Sequence, residues 1–152
     1  MAAAEDWSET TAAFFEQAPY HKLDDPLERV LAYVSFRKSI IAGELAEFTC
    51  LVGTMAQEVF TISPRIRDAC GKSIFDHAAT LEADIHAAMT DRGVGGDWTG
   101  ESLARHIQAV IQGAFVLAKA GNDPALARES LDHLDHYIRL LFNLANKKSL
   151  SS

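Results

Sequence analysis

The sequence predicts an all-α fold, a single domain of about six helices, on three observations. Three of the four prolines follow a capping residue, at Asp25-Pro26, Ser63-Pro64 and Asp123-Pro124. Such a pair marks a helix start, because the capping side chain bonds the first free N–H groups and proline fills a position whose N–H is not needed. Between Thr99 and Asn146, apolar residues recur at alternating steps of four and three, which lines them along one side of each of two helices. No segment shows the period-two alternation, bounded by turn residues, that marks a strand.

In chain order, residues 6–18 (DWSETTAAFFEQA) form a short helix capped by Ser8, anchored by Phe14 and Phe15, and closed by Pro19 within an N-terminal segment 1–20. A polar connector follows. Asp25 then opens a helix with Glu28 three residues on, a capping-box arrangement. This helix runs to about Ile41 and is apolar nearly all round, through Leu27, Val30, Leu31, Tyr33, Val34, Phe36 and Ile40, so it is expected at the centre of the fold. Gly43 breaks the chain before a helix over 46–60 with Leu51, Val52, Met55 and Val59 inward. Gly53 and Thr54 in its middle lower helix stability and imply either a close helix crossing or space left for something else. Ser63-Pro64 starts a long helix to about Met89, with Ile66, Cys70, Ile74, His77, Leu81, Ile85 and Ala88 inward. Residues 92–98 (RGVGGDW) are expected as a mobile loop.

The segment 99–146 reads as a helical hairpin. One seam is Leu103, Ile107, Val110, Ala114 and Leu117, answered on the second helix by Ala127, Leu131, Leu134, Ile138, Leu141 and Ala145. Neither helix is apolar on that seam alone: Ile111, Phe115 and Ala118, then Tyr137, Leu140 and Leu144, form a second stripe. Two apolar sides need two partners. One is the rest of the chain, and the other is a second copy, giving a homodimer held by a four-helix bundle. The interface is assigned to Leu103, Ile107, Val110, Ala114, Leu117, Leu131, Leu134, Ile138 and Leu141, although either stripe fits. Gly121 is expected to end the first helix in the left-handed conformation, and Asp123 to cap the second.

The bulk properties narrow the function classes. A chain of 152 residues makes one domain by default and buries roughly 70% of its unfolded surface. Its formal charge of −7, with 14 scattered basic residues, argues against the chain gripping nucleic acid by itself. No run is long and apolar enough for a membrane span, and MAAAEDWSE lacks the pattern of a signal peptide. Two cysteines without metal spacing, Cys50 and Cys70, fit a reduced, cytoplasmic protein.

Several phrases then point to a family. DPLERVLAY, FTCLVGTMAQEV, the Pro-initiated helix ending ATLEADIHAAM, IQAVIQGAFVLAKA and SLDHLDHYIRLLF resemble, over about residues 25–145, the C-terminal regulatory domain of TetR/AcrR-type transcriptional regulators. The resemblance implies an all-helical body with a small-molecule pocket, here within residues 25–90, and a dimer bundle made by the last two helices. Family members read DNA with an N-terminal helix-turn-helix. Residues 1–20 contain no Gly-containing turn between two short helices and no basic recognition helix, so DNA binding is carried over to no residue of this sequence.

His77, on an apolar helix face, is either a core histidine bonded to a carbonyl or a polar contact inside a pocket that Phe36, Cys50, Met55, Phe60 and Phe115 would wall. Gln112, with Gln108 one turn earlier, lines that pocket, bridges the dimer seam, or faces solvent. His133 and His136, beside Asp132 and Asp135, share a helix face, but the paired Glu-x-x-His motifs of a di-iron bundle are missing, and no metal or other cofactor is expected. Gly71-Lys72-Ser73 and the GVGG at 93–96 lack the strand contexts of a nucleophile elbow and a dinucleotide loop, and no catalytic residue is assigned. The expected function is effector sensing and dimerisation, with a small, largely apolar ligand. A small metal-binding or catalytic bundle, and a bare dimerisation module, are the rivals.

Overall fold

Pro26, Pro64 and Pro124 each occupy the first turn of a helix, as their sequence contexts predict. The computed structural model describes residues 2–143, so the ends of both hairpin stripes, Leu144 and Ala145, lie outside the described residues. The described residues form α1 (Ala2–Glu16), α2 (Pro26–Ser39), α3 (Leu45–Phe48), α4 (Leu51–Val59), α5 (Pro64–Ala79), α6 (Glu82–Arg92), α7 (Gly100–Gly121) and α8 (Pro124–Leu141), with a 3-10 turn at Pro19–Lys22 and no strand among them. The fold is all-α.

Two of the expected six helices are interrupted. The 46–60 segment divides into α3 and α4 because Thr49 and Cys50 are extended, with ψ of 152° and 114°. The Cys50 Sγ then takes the place of a capping oxygen and accepts from the Gly53 N–H at 3.4 Å. The 63–89 segment bends at Thr80-Leu81, where the Thr80 hydroxyl donates to the His77 carbonyl at 2.7 Å and the backbone tightens to three-residue bonds. Back-bonding of this kind bends helices.

Capping follows the chemistry of the residues with three corrections. Ser8 lies inside α1, which begins at Ala2, and so does not cap it. Asp25 accepts from Leu27 N at 2.8 Å and Asp123 from Ala125 N at 2.8 Å. Ser63 makes no side-chain cap bond. The left-handed residue between α7 and α8 is Asn122, φ 50°, rather than Gly121. Asn tolerates this region because its short polar side chain bonds locally. Gly121 instead gives room to Leu126, whose Cδ1 would lie 2.5 Å from a Cβ there.

The apolar-all-round α2 is central. Leu27 and Tyr33 have no exposure, Val30, Leu31 and Val34 almost none, and α2 packs on both α6 and α8. Ion pairs hold its rim: Arg29 to Asp84 of α6 at 2.8 Å, Lys38 to Asp132 of α8, and Asp25 to Arg92. The 92–98 stretch is tied down at Trp98, whose ring meets Phe142 edge-on with centroids 5.7 Å apart.

Candidate ligand cavity

Faces of α1, α2, α5 and α7 converge on one space. Tyr33 and Arg37 are one turn apart on α2, Ser73 and His77 one turn apart on α5, and Gln108 and Gln112 one turn apart on α7. Residues at this spacing share a face, so each helix offers a polar pair to the same place. From α1, Ser8, Thr11 and Phe15 close the space, and the Ser8 hydroxyl donates to Ser73 Oγ at 2.7 Å. Between them lies a cavity of about 330 Å³ whose exposed lip carries Glu9, Glu16 and Asp76. A second cavity of about 320 Å³ adjoins it, and Thr11, Phe15, Arg37 and Cys50 line both.

A hydrogen-bonded relay backs the main cavity. The Gln108 amide donates to the Tyr33 hydroxyl at 2.8 Å, and Tyr33 lies 2.9 Å from His77 Nε2. The Gln108 nitrogen has only hydrogens to offer, so the Tyr33 oxygen accepts there and its own proton goes to His77 Nε2. The His77 proton therefore sits on Nδ1, a tautomer assigned from the network. Burial, then the nearby Arg37 charge, pulls the His77 pKa down to about 4, and the ring is neutral at pH 7. Burial also pushes the Tyr33 phenol up, so it stays a proton donor.

Arg37 is the cation of the site. Its guanidinium carbon lies 5.2 Å from the Phe15 ring centre and 5.6 Å from that of Phe115. Its Nε is buried and has no hydrogen-bond partner among the described residues. Gly53 of α4 sits against Gln112, whose Oε1 would lie 2.2 Å from a Cβ at position 53. Of the two roles the sequence left open for this glycine, a close helix crossing or space for something else, the contact fits the second: in the first turn of α4 it leaves room for the Gln112 amide.

Of the residues singled out from the sequence as pocket walls, Cys50, His77 and Gln112 line the main cavity and Phe115 lines the second. Phe36 instead packs against the rings of Phe14, Phe15 and Tyr20, and Met55 is half-buried against the core. Phe60 is 58% exposed at the end of α4, where the chain leaves the core. Sequence reasoning gave Phe15 only an anchoring role in the first helix and passed over Arg37, though both line the cavity. A charge one turn from Tyr33, on the same face of a central helix, was the available signal for Arg37.

The hairpin also sorts its residues. Leu103, Ile107, Ala114, Leu131, Leu134 and Ile138, expected at the subunit interface, are buried within this chain and have almost no surface left for a partner. The correction has a simple cause: α7 and α8 turn this seam toward each other and toward α2, α5 and α6. Leu117 is 55% exposed, and Val110 and Leu141 are half-buried. Val116, Tyr137 and Leu140 join them on the uncovered side, where the rings of His106 and Tyr137 meet at 5.2 Å. Among the described residues no group of three or more His, Cys, Asp or Glu side chains is placed to hold a metal. Asp132 and Asp135 are engaged with Lys38 and Arg139. No helix among the described residues is long and apolar enough to cross a membrane.

An all-helical body, with a cavity between its helices and a two-helix hairpin at its C-terminal end, defines the class of the protein. The family follows: residues 26–134 match the tetracyclin repressor-like C-terminal domain, and the chain belongs to that family of TetR-type regulator domains. No curated protein and no solved structure matches the chain.

Proposed function

We propose that the protein is the effector-sensing and dimerising body of a TetR-like regulator, and that the cavity between α1, α2, α5 and α7 receives a small, largely apolar molecule. The observation that carries this reading is the cavity's make-up. Its volume lies at the lower end of the range for small-molecule sites, and Phe15, Val52 and Ile74 form apolar walls around a few placed polar groups. Binding would shift an equilibrium between two arrangements of the helices within residues 27–90, to the extent that the ligand prefers one of them.

The second half of the reading is a homodimer through the uncovered side of α7 and α8. Val116, Leu117, Tyr137 and Leu140 are large, apolar and exposed there, and Gly113 leaves open space for a partner's side chain. A four-helix bundle with a second copy would cover them. Nucleic acid is not a partner of this chain in the proposal, given its net charge of −7. Two free, buried cysteines suit a reducing cytoplasm.

A thermal-shift panel of apolar small molecules tests the sensing half. A ligand at a hundred times its dissociation constant adds about 2.7 kcal/mol, worth roughly 5–10 °C for a domain of this size. Ile74→Trp, which fills the cavity, is expected to abolish the shift while the variant stays folded. A shift that survives in Ile74→Trp, or silence across the whole panel, refutes the assignment and favours a plain dimerisation module.

A further inference from the structure

The effector reading leaves one cavity group unexplained. The Arg37 guanidinium carbon lies over the rings of Phe15 and Phe115, contacts that stabilise the cation without giving its N–H groups a carboxylate or carbonyl acceptor. Its Nε is buried without a partner, and it forms no ion pair among the described residues. Every other arginine with a hydrogen bond in the fold uses it on a carboxylate or a carbonyl, as Arg29, Arg92, Arg128 and Arg139 do. Arg37 also stands on the wall common to both cavities, so a group bound to it leaves room for a body on either side.

We propose that the effector is an amphipathic carboxylate whose head meets the Arg37 guanidinium while its apolar body fills the main cavity. The inference rests on the cavity being the effector site. Guanidinium and carboxylate match in shape and charge, and their paired bonds are stronger than those between neutral groups. His77 agrees with this assignment: its Nε2 is taken by Tyr33, so the nitrogen left over is an N–H donor, suited to an acceptor on the ligand. The carboxylates nearby oppose an anion only weakly. Glu9, Glu16 and Asp76 on the main cavity and Glu47 on the second all lie at exposed positions, where solvent and salt screen them. The Glu47 carboxylate is moreover engaged by the Glu44 N–H at 2.9 Å.

Three probes with one tail and different heads test the proposal on the full chain: decanoate, 1-decanol and decyltrimethylammonium, titrated by calorimetry below their aggregation concentrations. Decanoate is expected to bind at least about tenfold tighter than decanol, the scale of one charge-assisted bond, and the ammonium weakest. In Arg37→Gln the ratio of decanoate to decanol affinity should fall to about one, with decanol binding retained. Arg37→Lys, which keeps the charge but loses the planar fork, should keep part of the ratio. Equal binding of acid and alcohol by the wild type overturns the carboxylate and leaves the cavity reading standing. So does a ratio unchanged in Arg37→Gln. Tightest binding of the ammonium overturns it in favour of a cationic effector read by the carboxylates of the lip. If none of the three binds, the cavity reading fails and the carboxylate fails with it. The wild-type ratio needs no variant, so a poorly folding Arg37→Gln leaves the test intact.

Discussion

Replacing Tyr33 by Phe removes one oxygen from a side chain with no solvent exposure, and nearly every consequence can be worked from the surrounding bonds. Gln108, 5% exposed, loses the acceptor of its amide N–H, which sat 2.8 Å away. A buried donor left in this way costs about 1–3 kcal/mol. His77 Nε2 loses its donor too, but the ring borders the cavity and water can reach it, so its share is smaller, at most about 1 kcal/mol. The expected loss is therefore about 2 kcal/mol, or roughly 4–8 °C in melting temperature. Urea unfolding followed by circular dichroism at pH 7 measures it, with the midpoint moving and the slope unchanged. Adding Gln108→Leu to Tyr33→Phe removes the stranded amide and should restore at least half the loss, because an apolar pair of similar shape leaves no orphan there. A Tyr33→Phe protein within about 0.5 kcal/mol of wild type would refute the relay, since changes that small are ordinary for sites without such a feature.

Other perturbations probe the remaining features. The folded-state His77 pKa of about 4 lies below its ordinary 6.5, so between these values the unfolded chain binds more protons. Stability should be fully present above about pH 6.5 and fall as pH drops toward 4, by at most about 1.4 kcal/mol per pH unit from this group; His77→Gln should flatten that part of the pH profile, and an unchanged profile rules the assignment out. Leu117→Glu and Leu140→Glu place charges on the uncovered side of the hairpin and should yield folded monomers by light scattering, whereas Ile107→Glu should unfold the chain because Ile107 is in the core; two dimers from the surface variants would put the interface elsewhere. At Asn122, φ 50°, glycine should be tolerated and valine should cost about 1–2 kcal/mol in the same denaturation assay, since a branched Cβ clashes in the left-handed region. Equal stability of the two variants would contradict that backbone.

Local signals carried far along this chain. Asp25-Pro26 and Asp123-Pro124 marked true helix starts because a cap bonds N–H groups two or three residues away, and that geometry needs nothing distant. The central place of α2 was legible for a related reason: a helix apolar nearly all round has no side to give to water. The breaks at Thr49-Cys50 and Thr80-Leu81 were not legible. Both interrupt good apolar periodicity, and what decides them is a hydroxyl or thiol choosing a backbone partner, along with neighbours that accept the bend.

The cavity shows the same division. His77, Cys50 and Gln112 drew attention as chemistry-bearing residues on apolar faces, and all three reach the main cavity. Phe60, equally apolar in sequence, ends up in solvent because α4 stops one residue before it.

What the sequence determined by itself was helical periodicity, the positions of caps, and a C-terminal hairpin with apolar residues on two sides. Which of those sides is covered from within was decided by tertiary structure, and so was the meeting of Tyr33, His77, Gln108 and Arg37, because residues up to 75 positions apart become neighbours only when helices pack. Period and capping are properties of one helix; coverage and convergence belong to several at once.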